Sequence, residues 1–141
     1  MTATLHASCV AIGNRGVLLT GASGAGKSDL ALRLIDRGAR LVGDDGVMIE
    51  AFNGRLLASP GPNIEGQMEV RGLGILAFPW VSRVPLALVV ALDQEVPRMP
   101  DELLPVRVFE GLTLPLVALD PFEASAAVKV EKALSLYGLD I

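Results

Sequence analysis

The sequence predicts a single α/β domain in which a mixed β-sheet with few helices carries a phosphate-binding loop (P-loop). Three observations predict it. Residues 21–28 read Gly-Ala-Ser-Gly-Ala-Gly-Lys-Ser, a complete G-x-x-x-x-G-K-[ST] motif. The motif stands between a short apolar run, Val17–Thr20, and a run with helical spacing, Lys27–Arg37, which is the strand–loop–helix context it requires. Beyond that helix the apolar runs follow one another with hairpin turns, whereas an ordinary nucleotide-binding α/β domain alternates strand and helix.

Each element has a local reason. Thr4–Ile12 is rich in β-formers, and Gly13-Asn14-Arg15-Gly16 turns it back onto Val17–Thr20. Lys27–Arg37 sets Leu30, Ala31, Leu34 and Ile35 at helical spacing, and Gly38 stops it. Arg40–Val42 is a short strand ending at Asp44-Asp45. Val47–Ala51 and Arg55–Ala58 flank Asn53-Gly54, a two-residue hairpin signal. Ser59–Gln67 reads as a loop, and Met68–Phe78 as a strand region interrupted by Gly72 and Gly74. Leu86–Leu92 is a buried strand, Pro97–Pro105 a polar connection, and Val106–Phe109 and Leu114–Leu119 two further strands. Asp120-Pro121-Phe122-Glu123 has the composition of a helix start, with an acidic cap and proline at the first position, and predicts a helix running to Tyr137.

Composition narrows the function. The chain has 141 residues, 51% apolar and 20% charged, enough for one domain with a core of Leu, Val, Ile and Ala. A net charge of −4 argues against nucleic acid as a partner. Cys9 is the sole cysteine, so an intramolecular disulfide is impossible and a reducing compartment fits. It lies in an apolar run and reads as a small core residue. The first residues resemble no signal peptide, and no apolar run is long enough to span a bilayer. A cytoplasmic location, away from membranes, is the expectation.

The candidate chemistry begins at the loop. Gly21, Gly24 and Gly26 let the backbone curl so that N–H groups of Gly21–Gly26, including those of Ala22, Ser23 and Ala25, face an anionic phosphate at a helix N-terminus. Lys27 would reach the β- and γ-phosphates, and Ser28 would hold Mg²⁺. The chain has three lysines against nine arginines, which makes a lysine at this position the more telling. Phosphoryl transfer also needs carboxylates for the acceptor proton and for the metal. Asp44 and Asp45 end the strand after the P-loop helix and are the first candidates. Glu69 and Arg71, two apart, form a sensible pair for metal and phosphate. Asp93 ends an apolar run as a Walker B aspartate would, or simply ends its strand. His6 is the only histidine and on its own reads as a surface residue.

In combination, His6, Gly21–Ser28, Arg40-Leu41-Val42-Gly43-Asp44-Asp45 and Glu69-Val70-Arg71-Gly72-Leu73-Gly74-Ile75 resemble the catalytic domain of HPr kinase/phosphorylase. That family has a histidine before the loop, an Asp-Asp end to the segment after the helix, and a Glu-Ile-Arg-Gly-Leu-Gly-Ile signature. The resemblance covers residues 5–78 well and the rest loosely. It implies a phosphoenolpyruvate-carboxykinase-like P-loop fold. It also implies a bifunctional serine kinase/phosphorylase of the phosphotransferase system. Such an enzyme acts on an HPr-like phosphocarrier with ATP or pyrophosphate and Mg²⁺, as a homo-oligomer, by family a hexamer. It implies that Lys27 stabilises the transferring phosphoryl group and that Ser28 and Glu69 bind Mg²⁺. One of Asp44 and Asp45 is the base for phosphorylation and the acid for the reverse, with His6 assisting, and both readings of the pair stay open. Asp29 follows the loop serine where the family has Glu. Leu112 stands where the family carries an arginine, so phosphorolysis is expected to be weakened unless Arg107 or a neighbouring subunit supplies a cation. The alternative reading is a nucleotide-sensing P-loop module that transfers no phosphate.

Overall fold

A computed structural model describes residues 2–141. Its strands and helices follow in the order β1 (Thr2–Leu5), β2 (Ser8–Ile12), β3 (Arg15–Thr20), α1 (Lys27–Asp36), β4 (Arg40–Gly43), β5 (Val47–Phe52), β6 (Arg55–Pro60), β7 (Gln67–Val70), β8 (Gly74–Ala77), β9 (Val84–Ala91), β10 (Val106–Phe109), β11 (Leu112–Ala118) and α2 (Ala126–Tyr137). The expected α/β architecture with a large mixed sheet and two helices is therefore present.

The main sheet runs β1-β5-β6-β9-β3-β2-β4. Strand β9 is its hub. It is parallel to β3 and β11 but antiparallel to β6. Strand β6 pairs with its first residues, Val84 and Pro85, and β11 with its last, Val89–Ala91, so the sheet forks along β9. Side chains of the central strands alternate between two cores. Val10, Val17, Leu19, Leu88 and Val90 face the helices, where they meet Leu30, Ala31, Leu34, Val130 and Leu134. Cys9, Leu18, Leu86, Val89 and Ala91 face the other way, against Val47, Ile49, Leu56 and Ala58 of β5 and β6. Each strand thus has two dry faces, which explains its near-continuous hydrophobic run.

Four sequence expectations shift. Thr4–Ile12 is not one strand: the chain bends at His6, because β1 pairs with β5 while β2 pairs with β3 and β4. That crossover leaves His6 exposed on the rim. Strand β6 continues through Ser59-Pro60, which the composition assigns to a loop, since both residues find partners on β5. Residues 68–78 fold into a separate two-stranded hairpin, β7–β8, whose three-residue turn is Arg71-Gly72-Leu73. The last helix opens at Ala126, not at Asp120. Asp120 Oδ1 accepts the N–H of Phe122 at 2.9 Å, and the Arg33 guanidinium binds the carbonyls of Pro121 and Glu123. These bonds hold residues 120–123 as a turn. By contrast the Asn53-Gly54 hairpin forms as expected, with φ of 52° and 76° at its two central residues.

Helix α1 is fastened on two sides. Leu30, Ala31 and Leu34 are fully buried, and Arg37 makes a two-pronged bond to Glu131 of α2 at 3.0 and 2.8 Å. The Glu131 carboxylate, by that bond and by its charge, raises the Arg37 pKa, but so exposed a pair contributes little to stability. Replacing Leu34 by alanine is expected to lower unfolding free energy by about 2–5 kcal/mol, measured by denaturant titration. Burial pushes the Cys9 thiol well above its ordinary value. Native protein at pH 8 is therefore expected to leave Cys9 unlabelled by a thiol reagent that modifies it fully in denaturant.

Candidate functional site

The site lies at the carboxyl ends of the parallel strands β3, β9 and β11, where ligands bind in open α/β sheets. Strand β3 runs out at Thr20, and the chain turns through Gly21–Gly26 into α1. Gly26 is the helix N-cap, at φ 95° and with no side-chain cap bond. A Cβ there would sit 3.1 Å from Pro121 Cγ, so both conformation and space require glycine. The first N–H groups of α1 have no intrahelical acceptor and remain available to an anion. Lys27 is buried, and its Nζ donates to the loop's own carbonyls, Gly21 O at 2.7 Å and Ala22 O at 3.1 Å.

The two aspartates after β4 separate in space. Asp44 is buried, with Oδ1 accepting the Ser28 hydroxyl at 2.6 Å and the Ser8 hydroxyl at 2.7 Å. Its Oδ2 has no hydrogen-bond partner among the described residues. Asp45 turns outward in a left-handed conformation, φ 59°, and its Oδ1 lies 3.0 Å from His6 Nε2. The same His6 nitrogen is 3.5 Å from Ser23 Oγ at the loop's tip. His6, Ser23 and Asp45 thus form an exposed cluster beside the buried Ser28–Asp44 pair. Alternation in an extended chain separates adjacent side chains, and the positive φ at Asp45 completes the divergence.

Neither Glu69 nor Arg71 bonds to this cluster. Met68 and Val70 join the core that includes α1, while Glu69 on β7 and Arg71 in the turn are exposed and make no hydrogen bond or ion pair among the described residues. Arg71 does not share a strand face with Glu69, because β7 ends at Val70. Asp29 pairs with Arg33 at 3.1 Å along the helix surface. Leu112 opens β11 after the tight Glu110-Gly111 turn, and Arg107 rests on the Phe109 ring, 4.8 Å from its centroid.

Asp93 is visible in the sequence without its role, and Ser8 is not visible as a site residue at all. Asp93 does more than end β9: its Oδ2 accepts the Ala22 N–H at 3.0 Å and braces the loop. Its place after an apolar strand was the available signal. Ser8 carries no motif of its own. A hydroxyl in an otherwise apolar strand is the only hint, and its meaning depends on which strand lies alongside.

The family model for the HPr Serine kinase C-terminal domain matches residues 1–81, more than half of the chain. The chain belongs to that family. It is 49% identical over 75 residues to the HPr kinase/phosphorylase of Clostridium tetani and 49% over 72 residues to that of Clostridium beijerinckii. These matches cover 53% and 51% of this chain but only 25% and 24% of those proteins, so the chain spans about a quarter of the length of the curated relatives it matches. The structure of the Hpr(Ser) kinase/phosphatase from Coxiella burnetii superposes with a TM-score of 0.80 at 28% identity, covering 94% of each chain. The architecture is thus that of an HPr kinase domain well beyond the matched residues 1–81.

The donor set suits a hard divalent cation. The Ser28 hydroxyl and the bonded Asp44 carboxylate are oxygen donors of the kind Mg²⁺ prefers and could hold one. Gly26→Ala is expected to destabilise the protein by about 1–3 kcal/mol, because the left-handed backbone strains any other residue. A thermal melt of that variant, compared with wild type at equal concentration, measures it.

Proposed function

We propose that this chain is a catalytic domain that transfers the γ-phosphoryl group of ATP to a serine of an HPr-like phosphocarrier protein. The observation that carries this reading is the division of the Asp44-Asp45 pair: one carboxylate bonded to the P-loop serine, the other exposed against His6. In this reading Ser28 and Asp44 hold Mg²⁺, and Glu69, from the hairpin that packs on α1, is the further ligand. A metal held there would neutralise charge on the phosphates. The loop residues Gly21–Gly26 bind the phosphates through their N–H groups, and Asp29 and Arg71 are proposed as further nucleotide contacts. Lys27 leaves the carbonyls of Gly21 and Ala22 for the transferring phosphoryl group.

Asp45 is the base. It is exposed, so the hydroxyl of a protein serine can reach it. It takes that proton as the serine oxygen forms its bond to phosphorus and ADP leaves. His6 holds the Asp45 carboxylate toward the loop. The reverse reaction with inorganic phosphate, releasing pyrophosphate, uses the same carboxyl group as the acid. Arg107 is engaged with Phe109 and Leu112 is apolar, so phosphorolysis is proposed to be the slower direction. Reducing, cytoplasmic surroundings suit the lone buried cysteine, and the relatives' family suggests a homo-oligomer, proposed as a hexamer. No helix among the described residues is long and apolar enough to cross a membrane.

Incubation with radiolabelled ATP, Mg²⁺ and an HPr carrier tests the proposal. Asp45→Asn is expected to cut transfer by at least about 100-fold while calorimetric ATP binding stays within about threefold. Asp44→Asn is expected to impair the Mg²⁺ dependence of that binding as well. Wild-type protein that binds ATP and labels no carrier would instead make the chain a nucleotide sensor.

A further inference from the structure

We infer that Phe122 is the platform on which the nucleoside end of the phosphate donor stacks. The inference rests on the proposal that Gly21–Ser28 binds a nucleoside triphosphate. Its basis is the turn that follows β11. Three parallel strands end on this side of the sheet, and each delivers a distinct part: β3 the phosphate loop, β9 the Asp93 brace, and β11 the Asp120–Glu123 turn. The turn abuts the loop at the N-cap of α1. A Cβ built on Gly26 would lie 3.1 Å from Pro121 Cγ and 3.5 Å from Phe122 Cε1.

The ring there is exposed and stands on an anchored backbone. Phe122 is 75% exposed in a chain only 4% aromatic. Its N–H is held by Asp120 Oδ1, and Arg33 of α1 holds the carbonyls on either side, those of Pro121 and Glu123. It is the most exposed of the described rings: Phe52, at 51%, has Arg83 5.3 Å from its centroid, and Trp80 and Tyr137 are 45% and 36% exposed. Phe122 carries no cation among the described residues. An uncovered ring on an anchored backbone, at the rim of the proposed anion site, is what a flat aromatic ligand joined to a phosphate chain would use. Stacking reads no hydrogen-bond pattern, so the platform accepts purine nucleotides with little discrimination between bases.

Calorimetry of the full chain with Mg²⁺ separates the parts of the ligand. ATP and inorganic tripolyphosphate share a phosphate chain and differ by the nucleoside. Phe122→Ala is expected to weaken ATP binding about tenfold or more and to leave tripolyphosphate within about twofold. Phe122→Trp is expected to retain ATP. Equal loss of both ligands, or no change in either, would overturn the inference while leaving the phosphate loop intact. Wild-type protein that binds neither ligand would overturn the phosphate-loop reading and this inference with it. Superimposable thermal melts of the variants establish that they fold.

Discussion

A single carboxylate oxygen, Oδ1 of Asp44, accepts hydroxyl hydrogens from Ser8 on β2 and Ser28 on α1. The aspartate itself follows β4, so three elements meet at one buried charge. Burying a carboxylate is costly unless hydrogen bonds replace its water, and the two serines supply that replacement. The arrangement fixes where α1 begins relative to the sheet, and hence where the P-loop sits. It also spares the second carboxylate oxygen. The site is therefore organised before any ligand arrives, by bonds that use only half of the aspartate's capacity.

The fork in the sheet has a comparable role. Strand β9 is parallel to β3 and β11 along its second half and antiparallel to β6 at its start. The parallel part collects chain ends on one side and so gathers Gly21, Asp93 and Asp120 there. The antiparallel part builds a second dry layer under the first, against which Cys9, Leu18 and Val89 pack. With both faces covered, the strands that bear the site cannot flex toward solvent. Catalytic and binding groups are held best on such rigid elements.

How much of this is legible in the residues depends on range. The glycine-rich turn between β3 and α1, helix α1 itself, the Asn53-Gly54 hairpin and the pairing of β2 with β3 are local patterns, and each is found where the sequence places it. Features that depend on a partner are not legible. Thr4–Ile12 reads as one strand because nothing in it says that Leu5 and Ser8 pair with different strands. Asp120-Pro121 has the composition of a helix start, yet Arg33, far off in sequence, captures the neighbouring carbonyls and holds a turn. For the candidate site, the sequence supplies Asp44 and Asp45 as a pair but not their division, which is set by a positive φ at Asp45 and by Ser8. Asp93 could be proposed from its strand, while its bond to Ala22 needs β3 and β9 side by side.

Lys27 gives the resting site a further property. Its ammonium already sits on the carbonyls of Gly21 and Ala22, and the Ala22 N–H already has a carboxylate from Asp93. The loop is thus internally balanced, with a resident cation for its acceptors and a resident anion for one of its donors. On the proposed function, an incoming phosphate would have to trade places with bonds the protein makes to itself. A small anion that satisfies one donor leaves those exchanges uncompensated. A polyphosphate that engages the lysine, the helix N-terminus and a metal together compensates them all. The loop's own bonds would thus act as a filter for ligand size and charge, set by how well the protein serves its own donors and acceptors.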